Sequence, residues 1–253
     1  MPNKIDKNVL IIGASQGIGK ALAIEYSSNS SNLVLLSRNE DAIKEISESI
    51  NSLGGVSYFK KCDVSNKDEV KGGISFAVDS LKNIDLAIIN AGVGSPVWME
   101  NFSSEEFKKV VEINTFGMAH CLEYLIPIMK KQGYGKIAGV SSLSDIRGFA
   151  GSSSYCSSKA ATSRLLESAR VELHKFNIKV ITIKPGFVRT AMTDKNEFYM
   201  PFLMETGRAA RIIRKGIEKN KRVVQFPLPT VLLTKLIKII PNWLFDPIMR
   251  RAR

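Results

Sequence analysis

One doubly wound α/β domain, a parallel sheet with helices on both faces, is the fold this sequence predicts, on three observations. Short apolar runs alternate with longer stretches of helical period along most of the 253 residues. Several runs are apolar at consecutive positions, as strands covered on both faces require. No shift of composition marks a linker, and about 250 residues is an ordinary size for one α/β unit.

The first run, residues 9–14, closes on Gly13, and a helix is expected over 18–28. Leu33-Val34-Leu35-Leu36 is the second strand, followed by a helix over 40–52 that Asn39 caps and that carries Glu40 and Asp41 in its first turn, where the helix dipole favours acids. Strands at 57–62 and 84–89 flank a helix over 67–81, and one long helix is expected over 105–130 before the strand at 136–141. Over 153–175 the residues Leu165, Leu166, Ala169, Leu173 and Phe176 make an apolar stripe of helical period. A strand at 178–183, a helix at 206–219 and a short strand at 222–226 complete the sheet. The expected domain is therefore 1–227, with residues 228–253 as an extension.

The net charge is +12, and it is unevenly placed: residues 208–253 hold twelve Lys and Arg against Glu218 and Asp246. The basic character belongs to the end of the chain. Near the start, the apolar run 9–12 is too short for a signal-peptide core or a membrane span, so a cytoplasmic protein is expected. Cys62, Cys121 and Cys156 are widely spaced and form no C-x-x-C pair, which reads as reduced packing thiols and no metal site.

Between the first strand and first helix stands Gly13-Ala14-Ser15-Gln16-Gly17-Ile18-Gly19. Glycines there let a ligand reach backbone N–H groups at a helix N-terminus, which makes a pyrophosphate cradle of Rossmann type. The spacing G-x-x-x-G-x-G departs from the usual dinucleotide fingerprint. The same residues also satisfy G-x-S-x-G, a hydrolase nucleophile elbow on Ser15, but that reading needs a late-loop histidine, and His120 and His174 both fall in helical patterns. After the second strand no acid occupies the ribose-binding position. Arg38 offers a guanidinium suited to a 2′-phosphate instead, which favours NADP over NAD.

Tyr155 and Lys159 lie four residues apart, so a helix sets phenol and ammonium on one face. A nearby cation favours the phenolate and so tunes Tyr155 as a proton donor. Ser142, at the end of the fifth strand, is placed to bond the carbonyl that Tyr155 protonates; Ser141 and Ser144 compete for that role.

With these motifs in order, the chain resembles the short-chain dehydrogenase/reductase family over roughly residues 7–227. Asp63-Val64 is similar to the family's adenine-pocket turn. Asn90-Ala91-Gly92 is similar to part of its Asn-Asn-Ala-Gly motif, Ile89 standing where the family has the first Asn. Glu112-Ile113-Asn114 resembles the segment whose Asn assists a proton relay, and Pro185-Gly186-Phe187-Val188-Arg189-Thr190 the turn beside the nicotinamide, with Val188 and Thr190 on the carboxamide. The resemblance implies an NADP(H)-dependent carbonyl reductase or alcohol dehydrogenase in which Tyr155 is the acid, Lys159 binds the nicotinamide ribose and lowers the Tyr155 pKa, Asn114 anchors a water, and the family's serine-to-tyrosine interval selects Ser142. The alternative of another class is a cofactor-bound sensor or interaction protein without turnover.

Phe149, Phe187, Met192, Phe198, Tyr199, Phe202, Leu203 and Met204 crowd the segments expected around Tyr155, which suits an apolar, lipid-like small-molecule substrate. Residues 231–245 form an amphipathic segment in which Thr234, Lys235, Lys238 and Asn242 share a polar stripe, with Arg250, Arg251 and Arg253 beyond. It is too short to cross a bilayer, and Pro241 interrupts it. Two readings stand beside each other: peripheral contact with an anionic inner membrane surface, or a lid or homo-oligomer interface. Nucleic-acid binding is not expected, since the basic residues accompany aliphatics rather than a base-stacking module.

Overall fold

A computed structural model describes residues 7–194 and 199–251, with nothing described of the Arg251 side chain. Seven parallel strands, β1 Asn8–Ile12, β2 Asn32–Ser37, β3 Val56–Lys61, β4 Leu86–Ile89, β5 Gly135–Val140, β6 Ile178–Pro185 and β7 Val223–Phe226, form one sheet in the order β3-β2-β1-β4-β5-β6-β7. The strand order reverses between β1 and β4, and at such a switch point the loops diverge to opposite faces and open a crevice.

Side chains alternate across each strand, which sorts the core into two layers. Val9 and Ile11 of β1 pack with Leu22 of α1 (Gly17–Ser27), Ile43 of α2 (Glu40–Ser52) and Ile213 of α7 (Thr206–Glu218). Leu10 and Ile12 face Ile74 of α3 (Lys67–Leu81), Leu125 of α5 (Gly117–Gln132) and Leu166 of α6 (Ser153–Leu173). Asn39 caps α2 by accepting from Ala42 N, and Asn66 caps α3 by accepting from Asp68 N and Glu69 N.

One expectation is corrected. The long helix over 105–130 is not continuous: α4 (Ser104–Val111) passes through a π-helical turn, Glu112–Phe116, before α5. The turn itself holds no glycine or proline, and Gly117 follows it as the first residue of α5. The extra residue in the turn is held by tertiary bonds, as π-bulges at functional sites often are. The C-terminal segment is interrupted at Pro241 as expected: α8 (Leu228–Ile239) and α9 (Asn242–Arg251) are parted at Ile240 and Pro241, where proline cannot donate to a continuing ladder. α8 packs against a 3₁₀ turn, Leu143–Ile146, that follows β5, so the extension lies on the body of the domain.

Candidate active site

Every segment singled out in the sequence leaves the carboxyl end of a strand except Asn114 and the pair Tyr155 and Lys159, which helices bring in. The Gly13 loop follows β1, Arg38 follows β2, Asp63 and Val64 follow β3, Asn90 to Gly92 follow β4, Ser142 follows β5, and Gly186 to Thr190 follow β6.

The glycine loop is locked against the β4 segment. Asn90 Nδ2 donates to Gly13 O at 2.8 Å, and a Cβ on Gly13 would stand 2.5 Å from Ala91 N. A Cβ on Gly19 would stand 2.0 Å from Gly13 O. Gly13 has φ +87°, a left-handed conformation that L side chains resist. Gly17, also at positive φ, approaches Thr190 so closely that a Cβ would lie 2.9 Å from its methyl group. The loop therefore brings together the α1 N-terminus, Asn90, Ala91 and Thr190, a backbone-lined cradle that fits a pyrophosphate between the adenosine and nicotinamide ends of a dinucleotide.

Ser15 accepts from Ser37 Oγ at 2.9 Å, while His120 Nδ1 lies 3.0 Å from Val64 O. The hydrolase reading has no base on its nucleophile. At the far edge Arg38 faces Asp63, Nη1 to Oδ2 3.8 Å, and the guanidinium remains about half exposed. Asp63 also accepts from Ser65 N at 2.9 Å, and its own N donates to Glu69 Oε2 at 2.9 Å.

The other end of the crevice is built on α6. Ser142 lies beside the Tyr155 phenol and favours its ionised form. Ser142 also accepts from Ser144 N at 3.1 Å, which fixes its side chain at the head of the 3₁₀ turn. Ser141, the rival serine, points elsewhere: it donates to Lys159 O at 2.9 Å and accepts from Ser163 Oγ at 2.8 Å. Lys159 is buried, donates to Val140 O at 3.0 Å, and its Nζ lies 5.7 Å from the Tyr155 ring centre.

Burial pushes the Lys159 ammonium down from its usual range to about 8. Burial also pushes the Tyr155 phenol up, with Ser142 pulling partly back and Cys156 adding a smaller push upward. The expected lowering by Lys159 does not figure in this shift, which desolvation dominates and directs upward. Tyr155 is protonated at neutral pH and so is a ready proton donor.

Asn114 sits in the π turn. Its Oδ1 accepts from Val93 N at 2.8 Å, and its Nδ2 donates to Val93 O at 2.9 Å and Ser158 Oγ at 3.0 Å. Thr162 Oγ1 lies 3.0 Å from Asn114 O. A Cβ on Gly92 would meet Asn114 Oδ1 and Lys159 Nζ, each at 3.1 Å, so these three residues converge on one spot. Val93, Ser158 and Thr162 were not singled out in the sequence. Ser158 alone had a signal, lying between Tyr155 and Lys159 on the same helix.

On the β6 side Val188 and Met204 form an isolated parallel bridge, and Thr193 Oγ1 donates to Val188 O at 2.8 Å. Pro185 ends β6, and Gly186 N donates to Phe226 O at 2.8 Å. The apolar residues expected near Tyr155 divide. Met192 flanks it across Gly94, where a Cβ would lie 3.3 Å from Met192 Sδ and 3.6 Å from Tyr155 Cδ2. Phe149 packs edge-on against Phe245, whereas Met204 joins the main core and Tyr199 and Phe202 are exposed. Phe198 lies outside the described residues. Cys62, Cys121 and Cys156 are buried and free, their thiols pushed up by burial, Cys62 to about 12. Among the described residues no cluster of His, Cys, Asp and Glu could hold a metal ion.

A phosphate cradle at the switch point, continuous with a proton-donating tyrosine beside a buried lysine, defines an oxidoreductase that uses a nicotinamide dinucleotide. The chain belongs to the short chain dehydrogenase family, whose model matches residues 7–198. It is 33% identical to an oxidoreductase of Myxococcus xanthus over 98% of both chains. It is 32% identical to the 7α-hydroxysteroid dehydrogenase of Escherichia coli K12, covering 73% of this chain and 72% of that one. Among solved structures, a 7α-hydroxysteroid dehydrogenase complexed with NADH and 7-oxo glycochenodeoxycholic acid aligns with TM-score 0.79 at 26% identity, covering 89% of this chain and 94% of that one. A Burkholderia phymatum short chain dehydrogenase/reductase in complex with NAD shares the fold, with TM-score 0.84 at 22% identity over 92% of this chain and 93% of that one.

Proposed function

We propose that this oxidoreductase is an NADP-preferring carbonyl reductase or alcohol dehydrogenase whose substrate is apolar and lipid-like. The observation that carries the chemistry is Ser142 beside the Tyr155 phenol, with buried Lys159 one helical turn further along. Tyr155, held protonated by burial, donates its phenolic proton to the substrate oxygen in reduction and takes it back in oxidation. Ser142 bonds the same oxygen and fixes it beside the phenol. The bound nicotinamide supplies or accepts the hydride. Lys159 holds the nicotinamide ribose, and Asn114, immobilised by Val93 and Ser158, anchors a water beside Lys159 for proton resupply. Asp63 and Val64 border the adenine, Gly13, Ser15, Gln16, Gly17, Ile18 and Gly19 cradle the pyrophosphate, Asn90, Ala91 and Gly92 back it, and Pro185, Gly186, Val188 and Thr190 border the carboxamide.

NADP preference rests on Arg38, which follows β2 in place of a ribose-binding acid and stays about half exposed beside Asp63. The substrate class rests on Met192 beside Tyr155 and on the hydroxysteroid dehydrogenases among the relatives, which act on bulky apolar alcohols. A sensor without turnover has no reason to keep Ser142, Tyr155 and Lys159 together. Cytoplasmic location rests on three unpaired, buried cysteines.

Tyr155→Phe tests the chemistry: turnover on a carbonyl panel should fall at least ~100-fold while NADPH affinity holds. Near-normal turnover would reject Tyr155 as the acid. Arg38→Ala tests the cofactor: NADPH affinity should drop about tenfold to a hundredfold, with NADH little changed, since a charge-assisted pair is worth ~1.5–3 kcal/mol. Equal losses for both dinucleotides would remove the assignment.

A further inference from the structure

Helices α8 and α9 turn their apolar residues outward. Leu228, Leu232, Leu236 and Ile239 form one i, i+4 or i, i+3 stripe on α8, exposed at 68, 58, 56 and 75%, and Trp243 on α9 is 76% exposed. The inward face of α8 is carried by Thr230 and Val231 instead. Exposed aliphatics scattered singly are ordinary on any protein, but a row of them on consecutive helical turns, joined by an exposed tryptophan, is a contact surface.

The placement of this pair is fixed. Arg147, five residues beyond Ser142, donates to Ile240 O and Asn242 Oδ1 across the break between the helices, and its guanidinium lies 3.8 Å from the centre of the Phe245 ring. Phe245 is buried and packs edge-on to Phe149. The outward row is therefore presented by a docked pair of helices beside the turn that carries Ser142.

Charge decides between occupants. Lys235 and Lys238 are exposed on the same helix at the border of the row, Arg250 is exposed on α9, and Asp246 is the one acid from 228 to 251. A second copy docking face to face would bring like charges together. An anionic lipid surface instead takes the aliphatics and Trp243 into its interface while the lysine stems reach its headgroups. No described helix is long and apolar enough to span, so the contact is peripheral.

We propose that the outward face of α8 and α9 docks on an anionic lipid bilayer. This surface stands independently of the dinucleotide and substrate assigned above.

The test uses the full chain carrying Trp98→Phe, which leaves Trp243 as its single tryptophan. With phosphatidylglycerol/phosphatidylcholine vesicles at low salt, the protein should co-sediment and Trp243 emission should shift to the blue. Pure phosphatidylcholine vesicles, which offer no negative surface, should weaken binding at least as much as loss of the lysine charges, and 0.5 M salt should weaken it severalfold by screening. Lys235→Gln with Lys238→Gln should weaken partitioning about thirtyfold, each charge near such a surface being worth roughly fivefold. Leu232→Ser with Leu236→Ser should abolish it while NADPH binding, measured on the same samples, is retained. No sedimentation at low salt overturns the proposal. A blue shift without lipid that grows with protein concentration also overturns it, in favour of self-association.

Discussion

Helices α6 and α8 are inversions of each other. α6 hides polar groups: Ser158, Lys159, Thr162 and Ser163 are all buried. α8 exposes apolar ones, Leu228, Leu232, Leu236 and Ile239. The difference lies in what each helix is packed against. Around α6 stand partners that can answer hydrogen-bonding groups: Val140 O for Lys159, Asn114 for Ser158 and Thr162, Ser141 for Ser163. Polar groups so matched tolerate burial, and unmatched ones do not. α8 meets only the edge of the domain, through Thr230, Val231 and the turn after β5, and one inward stripe suffices to hold it.

The sharpest break in the comparison comes from truncating one leucine on each helix. Leu166 is fully buried and touches Gly139, where a Cβ would lie 2.5 Å from its Cδ1. Leu166→Ala should cost ~2–5 kcal/mol of unfolding free energy, seen as a lower denaturant midpoint. A loss below 1 kcal/mol would mean that α6 is not packed as described.

Next in size is Lys159→Met. A folded-state pKa of about 8, against the 10.5 usual for a lysine in water, means the buried ammonium is disfavoured in the folded protein. The cost below pH 8 is of the order of 3 kcal/mol, of which the lost bond to Val140 O gives back ~1. The variant, although inactive, should be about 2 kcal/mol more stable than wild type at pH 7. Between pH 8 and 10.5 the unfolded chain binds more protons than the folded one, so wild-type stability gains with pH from this residue and the difference shrinks. Denaturation at pH 7 and pH 10 measures both. A variant less stable than wild type at pH 7 would show that the desolvation cost is offset elsewhere.

The smallest effect is expected at the exposed partner of the first pair. Leu236→Ala should change stability by less than ~0.5 kcal/mol, because its side chain is already 56% exposed. A loss comparable to that of Leu166→Ala would mean that α8 is covered in solution, by a second copy or by a rearranged helix pair.

Much of the site was legible along the chain because it sits at strand ends, and strand ends follow apolar runs that sequence marks plainly. The Gly13 loop, Arg38, Asp63, Asn90 and Ser142 all belong to that class. Tyr155 and Lys159 were legible for another local reason, the helical spacing of four. Asn114 was visible only through resemblance, since the π turn that places it bears no glycine or proline and is held by Val93, Ser158 and Thr162 from other segments. Arg147 left no trace in the pattern, because the groups it binds lie about ninety residues further on.

By itself the sequence determined the alternation of strand and helix, the glycine loop after the first strand and the pairing of Tyr155 with Lys159 on one helix face, since these depend on periodicity and spacing within one element. Tertiary structure decided three further things: which serine faces Tyr155, which way the two titrating side chains shift, and which face of the C-terminal helices points outward. Each is set by desolvation and by hydrogen-bond partners that arrive from distant segments, and neither exists until the chain has folded.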